Sequence, residues 1–470
     1  MNAPSDTPMD RRVFLKGAVA TAALFPLGGL LASCAASGGT SSGGPTGAVS
    51  GKNPFGVPKN STVDAVIFNG GYGIAYAQNA GKVMEREMSG VTVKVSPSTQ
   101  IAQELQPRFV GGNPPDVIDD SGAGLIGINT ILDQLEDLNS VVNAKNLEGT
   151  TIKDTLYPGV LAPGLFGSKL AAINYVLTVF AIWHSDSLFK QNGWEVPKTW
   201  DEAMALGAKA KAKGKFLFGW GKEAATYYLT MAIESAIKEG GDEVRLALDN
   251  LQPKCWSHPA VQSTLNALEK IVKAGYVKPG GSGTQFTAAQ AQWSNAEQFL
   301  LYPSGSWIEN EMKSQTKAGF AMTGSPTPTV TSGAKMPYTA LHSASAEAYI
   351  VPSKGSNKAG GKEYLRVMLS KEAAGNFAKT TLASTIVKGT IPADAFGSTA
   401  LKSQLAMLQG AGNDVFTWGF VDRYGLNPDL LVLWNSFLAG NSSVATLTAG
   451  MQKITDKVAN DSSVKKVKVS

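Results

Sequence analysis

VDAVIFNGGYGIAYAQNAGKVMEREMSGVTVKV, from Val63 to Val95, carries the reading that decides the fold. Val63 to Phe68 is a short apolar run rich in β-formers, and it stops at the turn residues Asn69-Gly70-Gly71. Beyond the glycines, Tyr76, Ala80, Val83 and Met88 recur at helical spacing, and Val91 to Val95 reads as a second strand. The order is strand, glycine loop, helix, strand. A helix over Ile101–Val110 and a third strand entered through NPPDVIDD (Asn113 to Asp120) extend the alternation, which predicts an α/β sheet.

Further along, Leu170 to Trp183 (LAAINYVLTVFAIW) is an apolar strand long enough to cross between two lobes. In PKTWDEAM, Thr199 caps a helix and Glu202 stands three residues on, the spacing of a capping box. Stripes at Val261, Leu265, Leu268 and Val272, after a Ser257/Pro259 start, and at Val444, Leu447, Met451, Ile454 and Val458 predict two more helices with apolar faces turned to a core.

The first residues read as an export signal. Arg11 and Arg12 precede an apolar run from Val13 to Leu31, and LASC (Leu31 to Cys34) has the form of a lipobox whose cysteine is lipidated. DRRVFLK (Asp10 to Lys16) resembles a twin-arginine signal, with Asp10 where Ser or Thr is usual, so the route is twin-arginine or Sec. Residues 1–33 are expected to be cleaved, and 34–61, rich in Gly, Ser, Thr and Pro, to form a flexible tether. The 470 residues less those 33 leave 437, more than one core organises, so two domains are expected. With Cys34 assigned to lipid, Cys255 stands alone and is expected as a small buried filler.

Several function classes fall away. A net charge of +5 with no basic stripe interleaved with aromatics argues against nucleic acid. The three histidines His184, His258 and His342 have no metal-ligand spacing, and neither a nucleophile elbow nor a P-loop occurs. Two carboxyls such as Asp119 with Glu309 or Glu347 leave a glycosidase open, although carboxylates equally bond sugar hydroxyls without chemistry.

The remaining signal is aromatic. Trp220 in FGWGK, the pair Tyr227 and Tyr228, Trp307 in PSGSWIENEM and Trp418 between Phe416 and Phe420 all stand beside turn residues. Pyranose rings present C–H patches to such faces. Asp119, Asp120 and Ser121 end the third strand, and the NGGYG loop with Tyr72 ends the first, so both are expected at the crevice outside the strand ends. For GGYG a plain tight turn is an equal reading, and for Trp220 and Trp418 so is core packing.

The lipobox, GNPPDVIDDSGA (Gly112 to Ala123), PKTWDEAM and SGSWIENEM (Ser304 to Met312) together resemble the extracellular solute-binding proteins of carbohydrate ABC transporters. IFNGGYG, INYVLTVFAIWHSDSLF and YLRVMLSK add a similarity to the actinobacterial N-acetylglucosamine and diacetylchitobiose-binding lipoproteins. The resemblance implies a two-lobed clamshell of maltose-binding type, one lobe from 62–172 plus 347–400 and the other from 174–342 plus 401–470. Matching positions put Tyr72, Asp120, Ser121, Tyr175, Tyr228, Trp307 and Glu347 in a ligand cleft, and the reading of the residues adds Asp119, Trp220, Ser306 and Trp418 as candidates. The resemblance further implies a small carbohydrate as ligand, ABC permease subunits as partner, a monomer, and no cofactor. Cellobiose, a maltodextrin or a xylo-oligosaccharide are alternative ligands, and a secreted glycan-active enzyme is the alternative class.

Overall fold

The computed structural model describes residues 47–122, 124–157 and 159–469. The signal, Cys34 and the tether as far as residue 46 lie outside the described residues. From Gly47 the tether expectation ends early: Val57 is 2% exposed, Asn53 Nδ2 donates to Val57 O, and Phe55 packs on the first lobe. Two apolar side chains in a Gly/Pro-rich stretch suffice to dock it.

Among the described residues the strands are twelve: β1 (Thr62–Phe68), β2 (Thr92–Ser98), β3 (Val117–Asp119), the small hairpin β4 (Leu165–Phe166) and β5 (Lys169–Leu170), β6 (Ile173–Ser185), β7 (Phe216–Phe218), β8 (Phe299–Gly305), β9 (Met322–Ser325), β10 (Leu341–Ile350), β11 (Ser384–Thr385) and β12 (Val415–Phe416). Ten of them form one sheet in the order β2-β1-β3-β10-β6-β8-β7, with β9 and β11 on β6 and β12 on β10. β1 runs parallel to β2 and β3, with helices Ala75–Glu87 and Ile101–Val110 as crossovers, which is the alternation the opening stretch predicts.

The two long antiparallel strands β6 and β10 run through both lobes. On β6, Tyr175, Val176 and Leu177 belong to the core of the first lobe with Val63, Ala65, Tyr76, Tyr349 and Phe377. Val179, Ala181 and Trp183 pack instead with Trp293, Phe299 and Tyr302. Thr178 therefore stands at the changeover, several residues beyond the expected Ala172 to Asn174 step. Burial on both faces along all of β6 hides the step from hydropathy. A second cluster around Trp200, Tyr228, Leu265, Trp434 and Met451 fills the other lobe, and the two stripe-predicted helices, Pro259–Lys273 and Val444–Asn460, border it. The Thr199 cap forms, with Thr199 Oγ1 accepting from Glu202 N, while the returning bond from Glu202 Oε2 reaches the Lys198 amide, one residue before the capping residue expected. Among the described residues no helix is long and apolar enough to cross a membrane.

Candidate functional site

Where β6 and β10 pass between lobes, loops from both converge. β8 ends at Gly305, and Ser306 and Trp307 follow before the short helix Ile308–Met312. The Trp307 ring stands edge-on to Phe180 and Tyr227, each at 5.8 Å between centroids. A Cβ on Gly71 would lie 3.2 Å from Trp307, so this glycine lets the NGGYG loop rest against the ring. Asn310 Nδ2 then donates to Gly71 O at 2.5 Å, and Asn129 Nδ2 to Arg423 O at 3.5 Å, tying segments of the two lobes together.

Asp119 sits at the end of β3 with no solvent exposure. It accepts from the Ser121 hydroxyl at 2.5 Å and from Tyr76 at 3.4 Å, and the Tyr76 and Tyr349 hydroxyls lie 2.6 Å apart. Glu347 comes in from β10, where its φ of +56° interrupts the pairing with β6 between Ala346 and Ala348. A non-glycine residue held there stores ~1–3 kcal/mol of strain. Burial pushes Asp119 up to about 7, against the bonds from Ser121, Glu347 and Tyr76. Burial, and then the Asp119 charge, push Glu347 well up as well. The pair therefore holds protons where free carboxyls would lose them.

Beside this pair the Tyr72 ring packs on Phe377, while its hydroxyl and that of Thr178 are buried without a partner among the described residues. Burial and then the charge of Glu347 push the Tyr72 phenol far above its ordinary range, and the neighbouring Ser306 and Thr178 hydroxyls draw it part of the way back. Ser306 accepts from Val179 N with its hydroxyl. On the far side of Phe180 the rings of His342 and Trp418 continue the aromatic row, at 4.5 Å from Phe180 to His342 and 5.1 Å from His342 to Trp418. Nε2 of His342 and Nε1 of Trp418 are also unpartnered among the described residues. Aromatic faces next to unpaired donors and acceptors form a surface suited to a ring with apolar C–H faces and polar edges.

Thus Tyr72, Asp119, Ser121, Ser306, Trp307, Glu347 and Trp418 are brought to one region. Asp120 is adjacent but turned to the other face of its strand, where Oδ1 accepts from Ile126 N and burial lifts it to about 7. Three expected residues are placed in lobe interiors instead. Tyr175 donates its hydroxyl to Met368 O amid Tyr76, Tyr349 and Phe377. Trp220 packs against Gly281 and donates to Asn435 Oδ1. Tyr228 donates to Gly219 O and packs edge-on to Phe218. In each the polar atom is already satisfied inside the protein. Of the adjacent tyrosines it is Tyr227, not Tyr228, that faces Trp307, and Phe180, Thr178 and His342 join the candidate site without a local sequence signal. The helical offset of about 100° between successive residues separates the two tyrosines, and only the packing of Thr226–Gly240 fixes which one faces in.

The chain belongs to the bacterial extracellular solute-binding proteins, whose family model matches residues 72–375. It is 57% identical over 462 residues, 98% of each chain, to the diacetylchitobiose binding protein NgcE of Streptomyces coelicolor. A multiple sugar-binding protein of Streptococcus mutans is 23% identical over 50% of this chain and 54% of its own length. Among solved structures, RafE in complex with raffinose matches with a TM-score of 0.67 at 20% identity, covering 84% of this chain and 99% of its own. A chitin oligosaccharide binding protein matches at 0.69 and 17%, covering 85% and 100%. These likenesses show the two-lobed maltose-binding type of fold.

Proposed function

We propose that the chain is the sugar-capturing receptor of an ABC importer, taking diacetylchitobiose or N-acetylglucosamine between its lobes and handing it to the permease. The observation that carries the reading is the 57% identity with a diacetylchitobiose binding protein across 98% of both chains. The site supports it in kind: Trp307 offers a face to the sugar ring, and the unpaired Tyr72, Thr178, His342 and Trp418 atoms are groups that hydroxyls and an acetamide would satisfy. We read the lobes as meeting at Thr178 on β6, at Ser343–Ala346 on β10 and between Val387 and Ser398, so that closure brings the two walls together around the ligand.

In this reading Cys34 carries the lipid that keeps the receptor at the outer face of the membrane, the monomer is the working unit, and no cofactor takes part. Sugar binding shifts the population toward the closed form, and that form is what the permease recognises. Calorimetry with diacetylchitobiose tests the reading. The native chain binds one sugar, Trp307→Ala binds it at least about 30-fold more weakly, a loss of roughly 2 kcal/mol, and an unchanged affinity removes Trp307 from the site.

A further inference from the structure

His342 has chemistry that packing does not use. It is 3% exposed at the start of β10, and its ring lies nearly parallel to Phe180 (8°), Phe416 (11°) and Trp418 (23°), which fixes the ring plane. Nδ1 stands 3.1 Å from Glu234 Oε1. Glu234, 3% exposed on the helix Thr226–Gly240, accepts the Thr327 hydroxyl on its other oxygen. One turn on, Lys238 Nζ donates to Thr327 O at 2.7 Å and to Tyr338 O at 2.9 Å, which holds the same loop in place.

One Glu234 oxygen accepts from the Thr327 hydroxyl and the other faces Nδ1, the arrangement of a carboxylate accepting on both sides, which assigns the proton between Glu234 and the ring to Nδ1 of His342. A neutral ring protonated there leaves Nε2 a bare acceptor. That Nε2 is buried and unpartnered among the described residues, and so is the indole Nε1 of Trp418, which can only donate. Two neighbouring rings, their centroids 5.1 Å apart, thus carry one unused acceptor and one unused donor. A hydroxyl offers both functions from a single oxygen, whereas a secondary amide offers a donor and an acceptor on separate atoms of one rigid plane. Asp422 also faces the ring: burial pushes its carboxyl up, and it is drawn back down by Arg423 and by the ring only when His342 carries a second proton.

We infer that His342, held in its Nδ1–H form by Glu234, accepts the acetamido N–H of an N-acetylated sugar and so makes this cleft prefer such sugars over their plain hydroxyl counterparts. The inference rests on the proposed sugar-binding role. Glu234 is a positioning residue here, since it acts through the imidazole and touches no sugar.

The test pairs nitrogen NMR of His342 in the folded chain with calorimetry on diacetylchitobiose and cellobiose, which share a β-linked skeleton and differ at the acetamido groups. In the native chain Nε2 is the unprotonated nitrogen, and its resonance moves when diacetylchitobiose is added. Glu234→Gln can keep an oxygen for Thr327 and turn its amide nitrogen to Nδ1, which places the ring proton on Nε2, and the same nitrogen spectrum reads whether it has done so. Diacetylchitobiose affinity then falls at least about tenfold with cellobiose little changed, the scale of one hydrogen bond replaced by a clash of donors. His342→Phe keeps the stack and gives the same selective loss. A native ring protonated on both nitrogens between Glu234 and Asp422, or an Nε2 resonance that does not respond to bound sugar, overturns the inference. So does a Glu234→Gln chain with inverted tautomer and native selectivity. Absence of any diacetylchitobiose binding by the native chain overturns the functional reading as well, so the two failures are distinguishable.

Discussion

Replacing Asp119 with Asn tests the electrostatics at the end of β3. A carboxyl raised by the fold binds its proton more tightly folded than unfolded. Its contribution to stability is therefore greatest below the unfolded pKa and is eroded as pH climbs to the folded one. For Asp119 the window runs from 3.8 to about 7. At about 1.4 kcal/mol per pH unit the full penalty is roughly 4 kcal/mol, of which about 2 falls between pH 5 and pH 7. Ser121 and Tyr76 bond different oxygens of Asp119, so the substituted carboxamide keeps only one of the two bonds, a loss that is the same at every pH and leaves the slope as the readout. Asp120, also raised to about 7 by burial, keeps its own share of the slope. Urea unfolding at pH 5, 6, 7 and 8 should show the native chain losing stability as pH rises, with Asp119→Asn losing clearly less. Parallel pH profiles for the two chains, or a native profile that rises through this window, would refute the reasoning.

Removing the lobe-bridging bond by Asn310→Ala should weaken diacetylchitobiose by ~0.5–1.5 kcal/mol, chiefly through faster release in stopped-flow fluorescence. Gly71→Val, which drives a branched side chain into Trp307, should lower affinity more than it lowers the melting temperature, read by calorimetry beside thermal unfolding. Cys255 is buried and its thiol is pushed up to about 11 by burial, so in a soluble chain lacking Cys34 no thiol should react with Ellman's reagent at pH 8 until denaturant is added.

Much of the frame was legible because period and punctuation mark it. The β1–glycine–helix unit, the Ile101–Val110 helix and the Thr199 cap appear where local chemistry places them. Trp307 was legible through its Gly-Ser-Trp turn, and Asp119 through the strand-end rule. What stayed hidden depends on packing across long sequence separations. Tyr175 lies on a strand buried on both faces, so nothing local says that its hydroxyl reaches Met368, 193 positions away. His342 gains its meaning only from Glu234 and Trp418, which no spacing connects to it. The His258 cap of the helix Pro259–Lys273 fell one residue beyond the expected Ser257, because an imidazole nitrogen accepts the Ala260 amide in place of a hydroxyl.

Two lobes that close on an N-acetylated sugar and leave it chemically intact are tested most directly by titrating the purified chain with diacetylchitobiose and recovering the sugar by chromatography. Such a receptor gives saturable one-to-one heat, a melting temperature that rises with sugar concentration, and unaltered disaccharide at the end. No heat and no thermal shift, or a recovered sugar cut to its monomer, would contradict it.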